Sequence, residues 1–292
     1  MDRSLHIHHG GKNGDLIYAL PVVKALARKH GPITLVTSVL CYQLVPLLWE
    51  QPYIKDVEML YGEARITKGV VEPWAVLSPE EGINLSLQPA MYRPDAPVSW
   101  TMCYAEIAGI KELTLSDKIA LPTLWNHRQW YYEHEVKYDG KEPWRPPETV
   151  VLAPESETLK CIALKYWRDV AEGFQGYSVM VIGQNTEGVK WPKNVTDLRG
   201  MTTVSSAARL MCEARLFIGA MSLPFNLARH AGTPSFVFQE QYLERCIPVD
   251  TPYRYYSLAN LSKMIADGIV IIKTGLTTLW NQSDLKLVAE AA

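Results

Sequence analysis

The residues best placed for chemistry lie in two turns of small and polar side chains, each between an apolar run and a helical pattern. The first is Gly10-Gly11-Lys12-Asn13-Gly14-Asp15, between the alternating run Leu5–His9 and the helical spacing of Leu16 to Ala27. The second is Ala220-Met221-Ser222-Leu223-Pro224, between Leu216-Phe217-Ile218-Gly219 and a helical stretch from Phe225 to His230 that ends at Gly232. A strand, a short turn and a helix start present backbone N–H groups at the carboxyl end of a parallel sheet, where phosphates bind. Each turn also has a plain reading. Asp15 and Ser222 are both good helix N-caps, and strand–turn–helix units without a ligand are common in α/β folds.

Other polar groups carry weaker signals. Three histidines at 6, 8 and 9 invite a metal, but in a strand His6 and His8 share one face and His9 the other, so they do not converge. His9, at the strand's carboxyl end, is expected to line a cleft instead. Lys12 and Asn13 sit in a loop that function often uses. No metal-binding pair of the Asp-x-Asp kind stands at a strand end.

These residues need a scaffold of alternating strands and helices. Ile33–Thr37 reads as a second strand of the first half. In the second half the expected order is strand 150–154, helix 163–174, strand 179–183, a loop closed by Asp197-Leu198-Arg199-Gly200, helix 203–214, strand 216–219 and strand 235–238. The Pro- and charge-rich segment 138–149 reads as a linker. Two Rossmann-like domains result, residues 1–145 and 146–292, with helix-leaning segments 257–268 and 274–292, one of which is expected to cross back onto the first domain.

Composition agrees with a globular protein. Of 292 residues, 48% are hydrophobic and 21% charged, and the net charge of −2 advertises no nucleic-acid field. No run is long and apolar enough to span a bilayer, and the first residues do not resemble a signal peptide. The five cysteines are widely spaced without a CxxC pair, which fits reduced thiols and a cytoplasmic location.

The ordered motifs resemble those of the lipopolysaccharide heptosyltransferases, glycosyltransferase family 9, of GT-B fold. Gly14-Asp15 followed by Leu16–Pro21 matches the family's opening. Leu152-Ala153-Pro154, Lys160 and Tyr166-Trp167-Arg168 match the start of its second domain. Gly183 with Glu187, then Asp197-Leu198-Arg199-Gly200, then Gly219 to Asn226 complete the series. The chain departs from the family at Met221, Leu223 and Asn226, which stand where the family has an acidic residue, a glycine and a histidine.

The resemblance implies an α/β, GT-B protein whose two Rossmann-like domains face each other across a cleft. It implies inverting, metal-independent transfer of a sugar from a nucleoside-diphosphate sugar, with no further cofactor. Asp15 would be the base. Lys160, Gly183, Glu187, Met221, Ser222, Leu223, Pro224 and Asn226 would hold the donor. His9, Gly11, Lys12, Asn13, Gly14, Tyr92, Arg93 and Trp100 would face the acceptor or the cleft, with Trp74 and Tyr104 as further aromatic platforms for the acceptor. The expected acceptor is a saccharide, with a hydroxylated nucleobase in DNA second. A non-catalytic sugar-nucleotide binder and a 2-epimerase-like enzyme are the alternatives.

Overall fold

The computed structural model describes residues 4–60, 65–67, 70–72, 82–86, 89–97, 99–135, 148–156, 162–184, 188–240 and 253–274. Residues 138–147 of the expected linker, the segment 275–292, Trp74, Lys160, Glu187 and two of the cysteines lie outside them, and Thr149, the last expected linker residue, opens a strand.

The described chain forms two compact units that divide after Thr123. In the first, β1 (His6–His9), β2 (Ile33–Ser38), β3 (Ile54–Leu60) and β6 (Gly82–Asn84) form one parallel sheet in the order β3-β2-β1-β6. A hairpin of β4 (Arg65–Thr67) and β5 (Val70–Glu72) precedes β6. Helix α1 (Asn13–His30) returns the chain from β1 to β2, and α2 (Val45–Trp49) leads into β3. α1 buries Leu16, Ile17, Leu20, Val22, Val23 and Leu26. It is tied to α3 (Trp100–Ile107) by Thr101 Oγ1, which donates to the Tyr18 carbonyl at 2.9 Å. Lys24 Nζ reaches the Ser116 and Ile119 carbonyls beside α4 (Leu115–Lys118).

The second unit begins inside α5 (Pro122–Glu135), upstream of the expected boundary at 145. The physical reason is Arg128. Its buried guanidinium donates to the Met211, Cys212 and Ala214 carbonyls and to Thr233 Oγ1 at 3.0–3.2 Å, all within the second unit.

This unit's sheet has six parallel strands: β7 (Thr149–Ala153), β8 (Ser178–Val181), β9 (Val195–Asp197), β10 (Leu216–Gly219), β11 (Ser235–Phe238) and β12 (Tyr253–Tyr256). They lie in the order β12-β11-β10-β7-β8-β9. Numbered within the unit, that is the 3-2-1-4-5-6 order of dinucleotide-binding folds, read from the β9 edge. Helices α6 (Leu164–Gly173), α7 (Val204–Glu213), α8 (Leu223–His230) and α9 (Leu261–Thr274) complete it.

Its core packs Val150, Leu152, Trp167, Phe174, Ile218, Phe236 and Phe238. Trp167, part of the motif matched to the start of the family's second domain, is a core side chain. It is fully buried, meets Phe238 edge-on at 5.3 Å and donates its indole N–H to the Ile162 carbonyl.

Candidate functional site

Each unit has a switch point where a central strand is flanked by neighbours reached in opposite directions, and ligands bind outside the carboxyl ends of the strands there. In the first unit it lies between β1 and β6, in the second between β7 and β10.

At the first, β1 ends in His9 and the chain turns through Gly10 and Gly11 into α1. Gly10 N–H donates to Ser86 Oγ at 2.8 Å, just beyond β6. Gly11 N–H donates to His9 Nδ1 at 3.2 Å, so the ring keeps its proton on Nε2, which lies 3.4 Å from the Tyr104 hydroxyl. His9 and Tyr104 are both fully buried. Burial pulls the His9 pKa down to about 3, so the imidazole is neutral. His9 therefore does not line an opening as expected; it supports the turn from behind. Cys41 Sγ donates to the Gly11 carbonyl at 3.2 Å, and burial pushes this thiol up to about 12.

α1 starts three residues earlier than the apolar spacing indicates, so Asn13, Gly14 and Asp15 form its first turn. Asp15 is its third residue. Its Oδ2 accepts the Lys12 backbone N–H at 3.0 Å, as half of a capping box. Burial raises the Asp15 carboxyl above the usual range, opposed by the Lys12 N–H and ammonium. A carboxylate with a raised pKa, backed by un-ionised His, Tyr and Cys side chains, has the properties of a general base. Lys12 is exposed, and Asn13 and Gly14 are half-buried.

Gly11 is required by close approach. A Cβ there would stand 2.7 Å from His9 Cε1 and 2.9 Å from Asp15 Cβ. At Gly14 a Cβ would meet nothing within 4 Å.

Of the expected acceptor residues, Tyr92 is 56% exposed and meets Trp100 edge-on at 5.5 Å. Arg93 pairs with Asp95 at 3.0 Å and with Glu106, so its charge is committed locally.

At the second switch point, β10 runs into Ala220, whose N–H donates to the Ala153 carbonyl at 3.0 Å. Met221 is buried, and its N–H donates at 2.9 Å to Oε1 of Gln239, a fully buried residue just past β11. Ser222 occupies the N-cap of α8, yet its hydroxyl turns back to the Ala220 carbonyl at 3.3 Å and does not cap. Leu223 and Pro224 open the helix, and Pro224 brings no N–H. The N–H groups of Leu223 and Phe225 are thus the first-turn donors for an anion. Asn226 is buried beneath, accepting from Arg229 Nη1 at 3.2 Å.

Beside β7, Gly183 has φ +152°, and a Cβ there would lie 2.8–2.9 Å from the Glu155 carboxyl atoms. Glu155 Oε2 accepts the Gln184 N–H at 2.8 Å. The Asp197–Gly200 motif is a clasp, and its first residue ends β9 instead of lying in a loop. Asp197 takes Arg199 through both carboxylate oxygens at 2.9 and 2.8 Å and accepts the Trp191 indole N–H at 3.0 Å. Gly200, at φ +72°, donates its N–H to the Gly183 carbonyl at 2.7 Å.

Cys41, Gln239 and Glu155 were not singled out in the sequence, whereas Tyr104, expected as an acceptor platform, is fully buried against His9. Only Glu155 carries a local signal, a carboxylate directly after a strand-ending Ala-Pro.

No protein-family model and no curated protein sequence matches the chain. Solved structures do. A glycosyl transferase family 9 protein from Veillonella parvula superposes with a TM-score of 0.60 at 15% identity, over 94% of this chain and 97% of that one. ADP-heptose LPS heptosyltransferase II of E. coli gives 0.56 at 12%, over 93% and 99%. The iron-containing dodecameric glycosyltransferase TibC from enterotoxigenic E. coli gives 0.54 at 17%, over 87% of this chain and 62% of TibC. The chain thus has the α/β GT-B fold shared with the family 9 glycosyltransferases, built from two Rossmann-like units.

Proposed function

We propose that this protein is an inverting glycosyltransferase that moves a sugar from a nucleoside-diphosphate sugar to a hydroxyl of a saccharide acceptor. The observation that carries this reading is Asp15, a half-buried carboxylate with a raised pKa at the start of α1, in a chain with the family 9 fold. Asp15 takes the acceptor hydroxyl proton as that oxygen attacks the anomeric carbon, and the bond to the diphosphate breaks with inversion. First-turn N–H groups of α8 offset the charge on the leaving diphosphate. Transfer proceeds without a metal, in the cytoplasm.

The test is a panel of sugar nucleotides with saccharide acceptors, run with and without chelator, on the wild type and Asp15→Asn. Transfer with inverted product, unaffected by chelator and lost in the variant, supports the proposal; turnover that survives Asp15→Asn removes Asp15 from the mechanism. A second reading, a sugar-nucleotide binder without chemistry, draws on the buried Met221 and on Asn226, occupied by Arg229. Binding of the panel without transfer would favour it.

A further inference from the structure

We infer that Gln239 is a positioning residue for the diphosphate cradle at the start of α8, an inference that rests on the nucleotide-sugar reading above. β10 and β11 run parallel, with Phe217 opposite Ser235 and Gly219 opposite Val237. The Phe217 N–H donates to the Pro234 carbonyl, one residue before its partner. Continued at that even spacing, the ladder would give the Met221 N–H to the Phe238 carbonyl. It goes to the Gln239 side chain instead, whose Oε1 accepts it at 2.9 Å. The chain leaving β10 has therefore parted from β11, and a side chain spans the gap where a backbone rung would otherwise stand.

Both ends of this bridge are fixed. Gln239 is fully buried. Its N–H donates to the Tyr256 carbonyl at 3.2 Å, and its carbonyl accepts the Tyr255 hydroxyl at 3.0 Å, both from β12. On the other side of the turn, the Ala220 N–H is held by the Ala153 carbonyl of β7 at 3.0 Å. Successive N–H groups are thus pinned from opposite neighbours of β10, just before Ser222 caps α8. Those two pins set where α8 begins, and with it where the Leu223 and Phe225 N–H groups point. The Gln239 amide is also neutral. It takes the Met221 N–H without setting a negative charge behind donors that would hold an anion, whereas a carboxylate there would repel one.

The experiment measures binding of ADP, UDP and GDP and of their parent nucleosides by calorimetry at pH 6, per folded molecule, to the wild type and three variants. Gln239→Met fills similar space without an acceptor. It should lose about tenfold in diphosphate affinity, the upper range for one hydrogen bond, with nucleoside affinity unchanged. Gln239→Asn, one methylene too short for the gap, should behave likewise. Gln239→Glu keeps the length, and its buried carboxyl holds its proton at this pH, so it still offers Met221 a neutral acceptor and should recover most of the loss. Diphosphate affinity that survives Gln239→Met and Gln239→Asn, an equal loss for diphosphate and nucleoside, or no recovery in Gln239→Glu would overturn the inference and leave the transferase reading standing. If no nucleoside diphosphate binds the wild type, the transferase reading falls, and this inference with it.

Discussion

The Lys12 backbone N–H donates to the Asp15 carboxylate at 3.0 Å, so the proposed base also caps the helix that positions it. The two roles separate in Asp15→Asn. The amide oxygen can still accept the Lys12 N–H, but it cannot take a proton. Transfer should fall by about 10²- to 10⁴-fold, the usual contribution of a general base. Stability should move the other way. The folded carboxyl pKa is raised above 3.8, so ionising Asp15 costs native stability once pH exceeds that value. Asp15→Asn should therefore be more stable than the wild type near pH 7, and the two should converge near pH 4. Denaturant titrations at both pH values check the sign.

The glycines of the first turn should respond in opposite ways. Gly11→Ala forces a methyl to within 2.7 Å of His9 and 2.9 Å of Asp15, so the ring or the carboxylate must shift. A loss of about 1–3 kcal/mol is expected from overpacking, along with a fall in kcat. Gly14→Ala enters open space in a helix first turn and should leave the unfolding midpoint unchanged or slightly raised. If Gly14→Ala also raises the KM of the acceptor, a substrate lies against this position.

His9 predicts an acid transition. Its folded pKa is about 3 against an ordinary 6.5, so the unfolded chain binds more protons between those values. Stability should fall as pH drops below about 6.5, by about 1.4 kcal/mol per pH unit at most, until the folded pKa is reached. His9→Gln should flatten that dependence. The comparison is of urea midpoints from pH 7 to pH 4 for both proteins.

Legibility in the sequence followed the range of the interactions. β10 and α7 announce themselves locally, because a buried Leu-Phe-Ile-Gly run and a Thr203 capping box are short-range signals. β9 was not anticipated. Val195–Asp197 is a three-residue edge strand, largely exposed, so no hydrophobic run marks it. Tyr253–Tyr256 was not anticipated either, because Arg254 interrupts its apolar pattern.

In the site, Asp15 and the small residues around it were legible because turn chemistry is local. What sets the environment of the first-unit site was not. Tyr104 is 95 residues from His9, and Cys41 is 30 from Gly11, separations that only the fold closes. His9 was misread for a related reason. A strand's carboxyl end suggests an opening, but the packing of α1 against α3 covers that ring completely.

Arg128 yields the last prediction, and it tests whether the second unit's site depends on distant packing. Its sequence context, Asn-His-Arg-Gln-Trp in a polar helix, suggests a solvated side chain, yet it is 5% exposed. One guanidinium nitrogen serves three carbonyls at the end of α7 together with Thr233 Oγ1, where a cation also complements the helix dipole. Arg128→Met fills similar space but leaves those carbonyls without their charged donor, and should cost about 2–4 kcal/mol. Arg128→Lys presents a single ammonium and should recover part of that loss. α7 packs against α8, whose first turn is the proposed diphosphate cradle. If that cradle is set by its own turn and Gln239, Arg128→Met will lower the urea midpoint while turnover per folded molecule and nucleotide affinity stay unchanged. A fall in nucleotide affinity beyond the loss of folded protein would instead make Arg128 a positioning residue for α8.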